Sequence, residues 1–362
     1  MERVTKKQKQ TKSAPLLDNL ETTDFQKTSE IPCNIKENRV SDEQNLYSGN
    51  YQKNNSDTII SELKRYKAMS IDLASTLIYY DSILQDRAEK ILQCGNYVEM
   101  AVDDEGARIA TSSFCRQRIC PSCQKRRSLK VASDILRIQA AMPEYEWIHI
   151  VLTVPNVTGD NLSQTVNRLY KCSSELFRDT RIKQGFKGVL RALEVSYNDS
   201  RALTTQSGDS EAVTTSEGDC WHPHLHCLVA VKKSYFTSRY YINKDLLMWK
   251  WVYYWGSDRL LQVNLSRVRD SGAVAEVAKY CVKPLEFTIP DWRKPEIIEH
   301  LFGCLHGRRL LQTFGVVRDT ARAVKVDLNT DDVVELDKGK RIDRYWYDWK
   351  KRAYVYSDTE LL

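Results

Sequence analysis

Apolar and polar positions recur along this chain with two different periods, which divide it into predicted helices and strands. From residue 58 to about residue 92 the apolar positions follow helical spacing, which predicts one or two amphipathic helices. A β-hairpin is predicted over residues 97–110, with its turn at the polar residues 103–106. Residues 1–57 carry few large apolar side chains. We expect them to form a mostly disordered tail, because they cannot bury enough surface to offset the entropy of ordering.

The order of elements in the middle of the chain predicts the fold class. After a helix over residues 124–141, four strands are predicted: 147–154, 187–197, 221–232 and 260–268. Helices over 161–183 and 244–255 stand between the first two strands and between the last two. The order β-α-β-β-α-β is the split βαβ arrangement, in which both helices cover one face of the sheet and leave the other free for a site. We therefore expect an α+β fold with an antiparallel sheet.

Composition narrows the class of protein. With 42% hydrophobic and 28% charged residues, the chain has the make-up of a soluble globular protein. No apolar run approaches the roughly 18 residues of a membrane helix, and the N-terminus has no apolar signal-peptide core. We expect a cytoplasmic protein without a membrane partner. The net charge of +6 is too small to indicate a nucleic-acid partner by itself, and the ten cysteines indicate thiols or metal ligands rather than disulfides.

The predicted strand 221–232 begins with three histidines at alternate positions. They are half of the six histidines in the chain. Side chains at alternate positions of a strand point the same way, and neutral imidazole is a common metal ligand. Glu194 is the only carboxylate of the neighbouring predicted strand. We expect His224, His226 and Glu194 to bind a catalytic divalent metal and to leave positions open for water or substrate. The alternatives are ordinary polar residues at a strand end and, for Glu194, a surface charge.

Four cysteines have the spacing of a structural zinc site. Cys120 and Cys123 form a close pair, Cys115 precedes them by five residues, and the predicted hairpin could return Cys94 to the same place. The alternative is buried free thiols. Residues 116–130 contain no acidic residue, and this density of positive charge suits a phosphate backbone, although a solvated helix start explains it equally well. The basic residues concerned are Arg116, Arg118, Lys125, Arg126 and Arg127.

A further helix is predicted between residues 270 and 284. On it Glu276, Tyr280 and Lys283 are spaced i, i+4 and i+7, so they share one face. This could be a surface contact, but beside a metal site it indicates phosphoryl transfer through a covalent phosphotyrosine. Tyr280 would attack the phosphate, Lys283 or Lys279 would balance its charge, and Glu276 would position or deprotonate the water that later cleaves the link.

Several of these motifs, taken in order, resemble one family. His224-Leu225-His226 resembles the His-hydrophobic-His motif of the HUH endonucleases, and within them the chain resembles the rolling-circle replication initiators (Rep proteins) of small bacterial plasmids. The resemblance covers residues 85–318 or so. Its other motifs are the strand end 152–156, the tyrosine helix 276–283, the cysteine knuckle with Arg126 and Arg127, and the late segment 305–309.

The resemblance implies an activity and its partners. In that family a tyrosine nicks one strand at the double-strand origin and stays on the 5′ phosphate, while the free 3′-OH primes synthesis. It further implies Mg²⁺ or Mn²⁺ at the catalytic site, contacts of Arg308 and Arg309 with DNA, and a host helicase, polymerase and single-strand-binding protein as partners. Relatives often carry Asn in place of His222, so His222 is expected to support the ligands rather than bind the metal.

Four regions and three candidate functions follow. The expected regions are a disordered tail (1–57), a helical and zinc-knuckle DNA-binding region (58–143), an HUH nicking domain (144–290) and a C-terminal extension (291–362). The main function is a single-tyrosine plasmid initiator, because Glu276 stands where a second tyrosine would lie. The alternatives are a transposase or relaxase of the same superfamily and a zinc-containing DNA-binding regulator without chemistry.

Overall fold

Two antiparallel sheets organise the residues that the structure describes. The computed structural model describes residues 56–78, 84–104, 106–198, 220–258, 261–268, 295–329 and 341–357. All of them belong to one compact unit, Tyr47–Leu362. The expected tail lies almost entirely outside the described residues, and so does the predicted tyrosine helix at 270–284.

The strands and helices of the described ranges are as follows. The strands are β1 (Tyr97–Asp103), β2 (Gly106–Ser112), β3 (Tyr145–Thr153), β4 (Phe186–Asn198), β5 (Cys220–Lys232), β6 (Val263–Val268), β7 (Leu311–Phe314), β8 (Arg341–Asp348) and β9 (Ala353–Tyr356). The α-helices are α1 (Ser56–Ile78), α2 (Gln85–Leu92), α3 (Pro121–Ala140), α4 (Gly159–Arg178), α5 (Thr180–Gly185), α6 (Lys244–Trp255), α7 (Pro295–Leu305) and α8 (Gly315–Ala323). No described helix combines the length and apolarity that a membrane crossing requires.

The smaller sheet joins an early hairpin of the chain to its last two described strands. Its strand order is β2-β1-β8-β9, with every neighbouring pair antiparallel. The predicted hairpin is confirmed as β1 and β2, which close where Asp103 pairs with Gly106. Strands β8 and β9 come from the stretch that we expected to be a C-terminal extension. Because β8 pairs with β1 along its length, this stretch is part of the same sheet as the hairpin.

The larger sheet has the order β6-β3-β5-β4-β7, again with antiparallel neighbours throughout. An α+β fold with antiparallel sheets is therefore confirmed. From β3 to β6 the chain runs strand, two helices, strand, strand, helix, strand. The helix predicted over 161–183 is divided in two. The carboxylate of Asp179 accepts hydrogen bonds from the backbone N–H groups of Arg181 and Ile182, which ends α4 and caps the short α5.

The two faces of the larger sheet are covered differently. On one face, α4 and α6 pack in the main hydrophobic core with inward residues such as Ile150, Leu193 and Val229. We expected the opposite face to be free, but a second hydrophobic cluster from α3 and α8 covers part of it, including Leu190 and Leu228. This face is partly covered because α3 and α8 carry apolar residues on one side, and an amphipathic helix must bury its apolar side. The part of this face that no other described helix covers carries the candidate site.

Helix α6, which packs in the main core, has a capped start and a glycine at its end. The side chain of Asn243 caps its start by accepting a hydrogen bond from the Leu246 N–H, and Gly256 ends it with a left-handed backbone (φ 68°). The indole N–H of Trp251 donates to the carbonyl of Thr153 at 2.8 Å, which ties the helix to the end of β3. Helix α6 therefore forms a rigid wall next to the strand ends.

Candidate active site and cysteine cluster

Strand register brings the predicted metal ligands together. Glu194 on β4 lies directly opposite His224 on β5, and Ala192 lies opposite His226. Because residues two apart on a strand share a face, the Glu194, His224 and His226 side chains all belong to the partly uncovered face.

His226 is held by two neighbours. Its Nε2 lies 2.5 Å from the Glu194 carboxylate, and its Nδ1 lies 3.1 Å from Nε2 of His149 on β3. His226 and Glu194 are both buried, with 6% and 9% of their surface exposed. A hydrogen bond between a buried imidazole and a carboxylate is strong, because few water molecules compete for either group.

His224 and His222 have different surroundings. The Nδ1 atom of His224 is buried and has no hydrogen-bond partner among the described residues. The Nδ1 of His222 hydrogen-bonds to the side-chain carbonyl of Asn156, and its ring stacks 6.5 Å from that of His224. Burial lowers the pKa of His224 and of His149 to about 4 and also lowers the pKa of His222. These rings are therefore neutral at pH 7, the form in which imidazole binds metals.

The predicted ligands line a cavity of about 840 Å³. Its floor comes from β3, β4 and β5, and its walls from α6 and from β6 with the turn before it. The lining residues are Val151, Thr153, Glu194, His224, His226, Lys244, Met248, Leu261, Gln262, Val263 and Asn264. A cavity of this size can admit a nucleotide segment.

Two residues at this site carry functional groups that sequence reasoning overlooked. His149 stands alone among apolar residues of β3, and only the position of β3 beside β5 brings it to His226. The split βαβ strand order was the signal that could have found it. Lys244 opens α6 and is exposed at the cavity wall, but it belongs to no motif that the sequence analysis recognised.

The other predicted catalytic residues are not placed by the structure. Glu276, Lys279, Tyr280 and Lys283 lie outside the described residues.

The four predicted zinc ligands come together in a separate cluster. The sulfur atoms of Cys94, Cys115, Cys120 and Cys123 all lie within 4.8 Å of one another. Cys123 Sγ is 3.6 Å from both Cys94 Sγ and Cys115 Sγ. A tetrahedral zinc site with Zn–S bonds of about 2.3 Å has sulfur–sulfur edges of about 3.8 Å, so these residues fit a closed structural zinc site. Cys94, the ligand with the weakest sequence signal, is part of the group.

Lys67 supports this cluster from α1. It is fully buried, and its ammonium donates hydrogen bonds to the carbonyls of Leu92 and Cys94 and to the side chain of Asn96 at 2.7–2.8 Å. Burial lowers its pKa to about 8, and the nearby cysteines, Cys94 first, oppose that shift. The ammonium also lies 5.2 and 5.0 Å from the ring centres of Tyr347 and Trp349. One lysine thus links α1, the knuckle and the C-terminal strands.

The basic residues expected to contact DNA differ in accessibility. Arg116 is exposed at a left-handed backbone position (φ 58°) between Cys115 and Cys120, and Arg309 is exposed as well. Lys125 is buried and pairs with Glu62 at 2.9 Å, so it is not available to a phosphate in this conformation. Arg308 donates hydrogen bonds to Ser163 and Asn167 on α4. Arg118, Arg126 and Arg127 are half-buried, and Arg126 lies over the ring of Phe114.

Residues 106–357 match the replication protein family. Since the match covers more than half of the chain, the protein belongs to that family, which confirms the resemblance to Rep proteins. A Protein rep of Streptococcus pneumoniae serotype 2 (strain D39 / NCTC 7466) is 26% identical over 304 residues, covering 78% of this chain and 88% of the relative. A Protein rep of Bacillus sp is 27% identical over 284 residues, covering 70% and 85%. No solved structure matches the chain significantly.

Proposed function

We propose that this replication protein is a plasmid replication initiator that nicks one strand at the double-strand origin and starts rolling-circle replication. One observation carries the proposal. In a member of the replication protein family, the two histidines of an HUH motif and a glutamate line the same cavity, on a part of the sheet that no other described helix covers. The strand order and the order of elements from β3 to β6 support the HUH-type arrangement.

The cavity residues suit a divalent cation. His224 offers a buried ring nitrogen that has no partner among the described residues, and His226 and Glu194 offer an imidazole and a carboxylate. Their ligand atoms are less closely grouped than the cysteine sulfurs. Among the described residues, only the cysteines form a group of three or more ligand atoms within 4.8 Å of one another. Bound Mg²⁺ or Mn²⁺ would polarise the scissile phosphate. His222, bonded to Asn156, would support the histidine strand rather than bind the cation.

Tyr280 is the proposed nucleophile. Its phenol gives up its proton to water and its oxygen attacks the phosphorus, while the bond from phosphorus to the 3′ oxygen breaks and that oxygen takes a proton from water to leave as a 3′-OH. Glu276 positions or deprotonates the water that later hydrolyses the phosphotyrosine link. Lys279 and Lys283, on the helix predicted around Tyr280, balance phosphate charge, and Lys244 does so from the cavity wall.

Origin DNA binding falls to the basic residues around the knuckle. Arg116 and Arg309 are exposed cations, and Arg118, Arg126 and Arg127 are partly accessible. The cysteine cluster, with structural zinc, holds the knuckle in shape. Host helicase, polymerase and single-strand-binding protein complete the proposed reaction in the cytoplasm.

A nicking assay tests the proposal. The protein is incubated with a supercoiled plasmid that carries the replicon from which the chain comes, with Mg²⁺ or Mn²⁺, and the product is examined for protein on a 5′ end. We expect nicked circles with protein attached. Tyr280→Phe should abolish both while leaving DNA binding, because the phenol oxygen is the nucleophile. Tyr253→Phe, an exposed tyrosine on α6, serves as the matched control.

One result would contradict the role of Tyr280, and another would contradict the function itself. Cleavage retained by Tyr280→Phe would show that another group is the nucleophile. Specific binding of plasmid DNA without any nick, with both cations present, would favour a zinc-containing regulator instead.

A further inference from the structure

One histidine outside the HUH motif contacts a member of that motif. His149 on β3 is half-buried and lies diagonally across from His226, since His149 pairs with Leu228 in the strand register. Its Nε2 is 3.1 Å from Nδ1 of His226, and the two rings are nearly parallel, with centres 5.4 Å apart. With these two distances the rings lie edge to edge in nearly one plane, which is the geometry of an in-plane hydrogen bond.

This contact occupies a specific nitrogen of His226. A histidine that binds a metal through one ring nitrogen commonly carries its proton on the other and shares it with a nearby acceptor, which fixes the tautomer and the ring orientation. In His226 the Nε2 edge is the one beside Glu194, and the Nδ1 edge is the one beside His149. His149 thus stands at the nitrogen that is left when Nε2 serves as ligand.

The two histidines of the motif differ in this respect. His226 has a partner at each ring nitrogen, whereas Nδ1 of His224 has none among the described residues. Only one of the two rings is therefore held from behind by another side chain through Nδ1.

We propose that His149 is a positioning residue for the candidate metal site, where it holds the imidazole of His226 through Nδ1 and keeps Nε2 on the side of Glu194. The inference rests on the proposed function, because it assigns His149 to the same metal site. His149 itself is not assigned as a ligand.

Mn²⁺ affinity of the zinc-loaded, full-length protein without DNA tests this role. His149→Phe keeps a ring of similar size but loses the hydrogen bond, so Mn²⁺ should bind about 10–100-fold more weakly, the usual effect of losing a group that orients a ligand. His149→Gln retains a polar group at a similar reach and should restore the affinity to within a few fold. Raising the Mn²⁺ concentration should also recover nicking by His149→Phe, because the lost step is metal binding.

Controls separate this inference from the proposed function. His306→Phe replaces an exposed histidine just after the end of α7 and should leave Mn²⁺ affinity unchanged. Unchanged affinity in His149→Phe, or a His149→Gln protein as weak as His149→Phe, would overturn the positioning role while leaving the metal site intact. If the wild-type protein showed no Mn²⁺ binding that His226→Ala removes, the metal site and the role of His149 would both fall.

Discussion

The cysteine cluster and the histidine–glutamate set differ in how much of the site the protein completes by itself. In the cluster four sulfur atoms already lie within 4.8 Å of one another, and the backbone beside them is bonded to buried Lys67. In the cavity the groups are spread along one sheet face, and Nδ1 of His224 has no partner among the described residues. A closed ligand set suits a structural metal, and an incomplete set beside a cavity suits one that must accept substrate.

The difference predicts which site carries stability and which carries chemistry. The cluster joins α1, the hairpin and the start of α3, and its cysteines belong to the main hydrophobic core. The proposed metal ligands lie on β4 and β5, which are inner strands of the sheet, so the sheet does not depend on them. Four experiments can test this difference between the two sites.

The largest effect is expected from Cys94→Ser. Structural zinc binds with an apparent free energy of about 10–16 kcal/mol in small zinc domains, so loss of one ligand should remove zinc and unfold the hairpin region. Zinc content and protease cleavage within β1 and β2 measure this. Cys172→Ser, a buried cysteine outside the cluster, should keep its zinc. Full zinc content in Cys94→Ser would exclude that residue as a ligand.

The second effect concerns chemistry rather than the fold. His226→Ala should lower metal-dependent nicking by at least about 100-fold, since a proposed ligand is lost. It should cost only about 1–3 kcal/mol of unfolding free energy, because a buried Glu194 loses its partner while the sheet remains. Nicking rates and thermal unfolding are compared on the same preparations. A His226→Ala protein that unfolds as completely as Cys94→Ser would erase the contrast between the sites.

Chelation should distinguish the two metals in the unmodified protein. Brief treatment with EDTA should stop nicking at once and leave the zinc content unchanged, because the cavity is open and the thiolate cluster is buried. Added Mg²⁺ or Mn²⁺ should then restore nicking fully. Zinc lost as fast as activity would show that the cluster is no more closed than the cavity.

The smallest effect is expected at the knuckle surface. Arg116→Gln should weaken DNA binding only a few fold and lower the slope of log affinity against log salt by about 1, because one phosphate contact is lost. Arg318→Gln changes an exposed arginine that pairs with Asp319 on α8, and it serves as the control. Equal slopes for Arg116→Gln and the unmodified protein would remove Arg116 from the DNA interface.

Local patterns predicted much of this fold, and long-range pairing set the limit. Strand alternation and helical spacing placed the elements from 97 to 268 to within a few residues, because each carries its own period. The helix break at Asp179 was missed because its cap uses a side chain whose role depends on the backbone turn. β7 has only four residues, too few to show alternation, and β8 reaches β1 only through pairing far along the chain.

The same limit applies to the candidate sites, where local spacing was predictable and long-range contacts were not. The cysteine group was predicted with all four members, because short spacing and one hairpin suffice to bring them together. His149 was missed because a single histidine in an apolar strand has no local signature. The accessibility of the basic residues could not be predicted either, since burial of Lys125 depends on Glu62 from another helix.

The pairing of the last strands with the first hairpin has a consequence for how the protein is made. Arg344 on β8 contacts Glu99 on β1, 245 residues earlier. During synthesis the hairpin therefore leaves the ribosome long before the strand that covers its edge. A chain that stops before residue 341 would contain the histidine strand but would lack β8, β9 and the rings of Tyr347 and Trp349 over Lys67. In a protein proposed to cut DNA, the smaller sheet beside the cysteine cluster is thus complete only after residues 341–356 have been made.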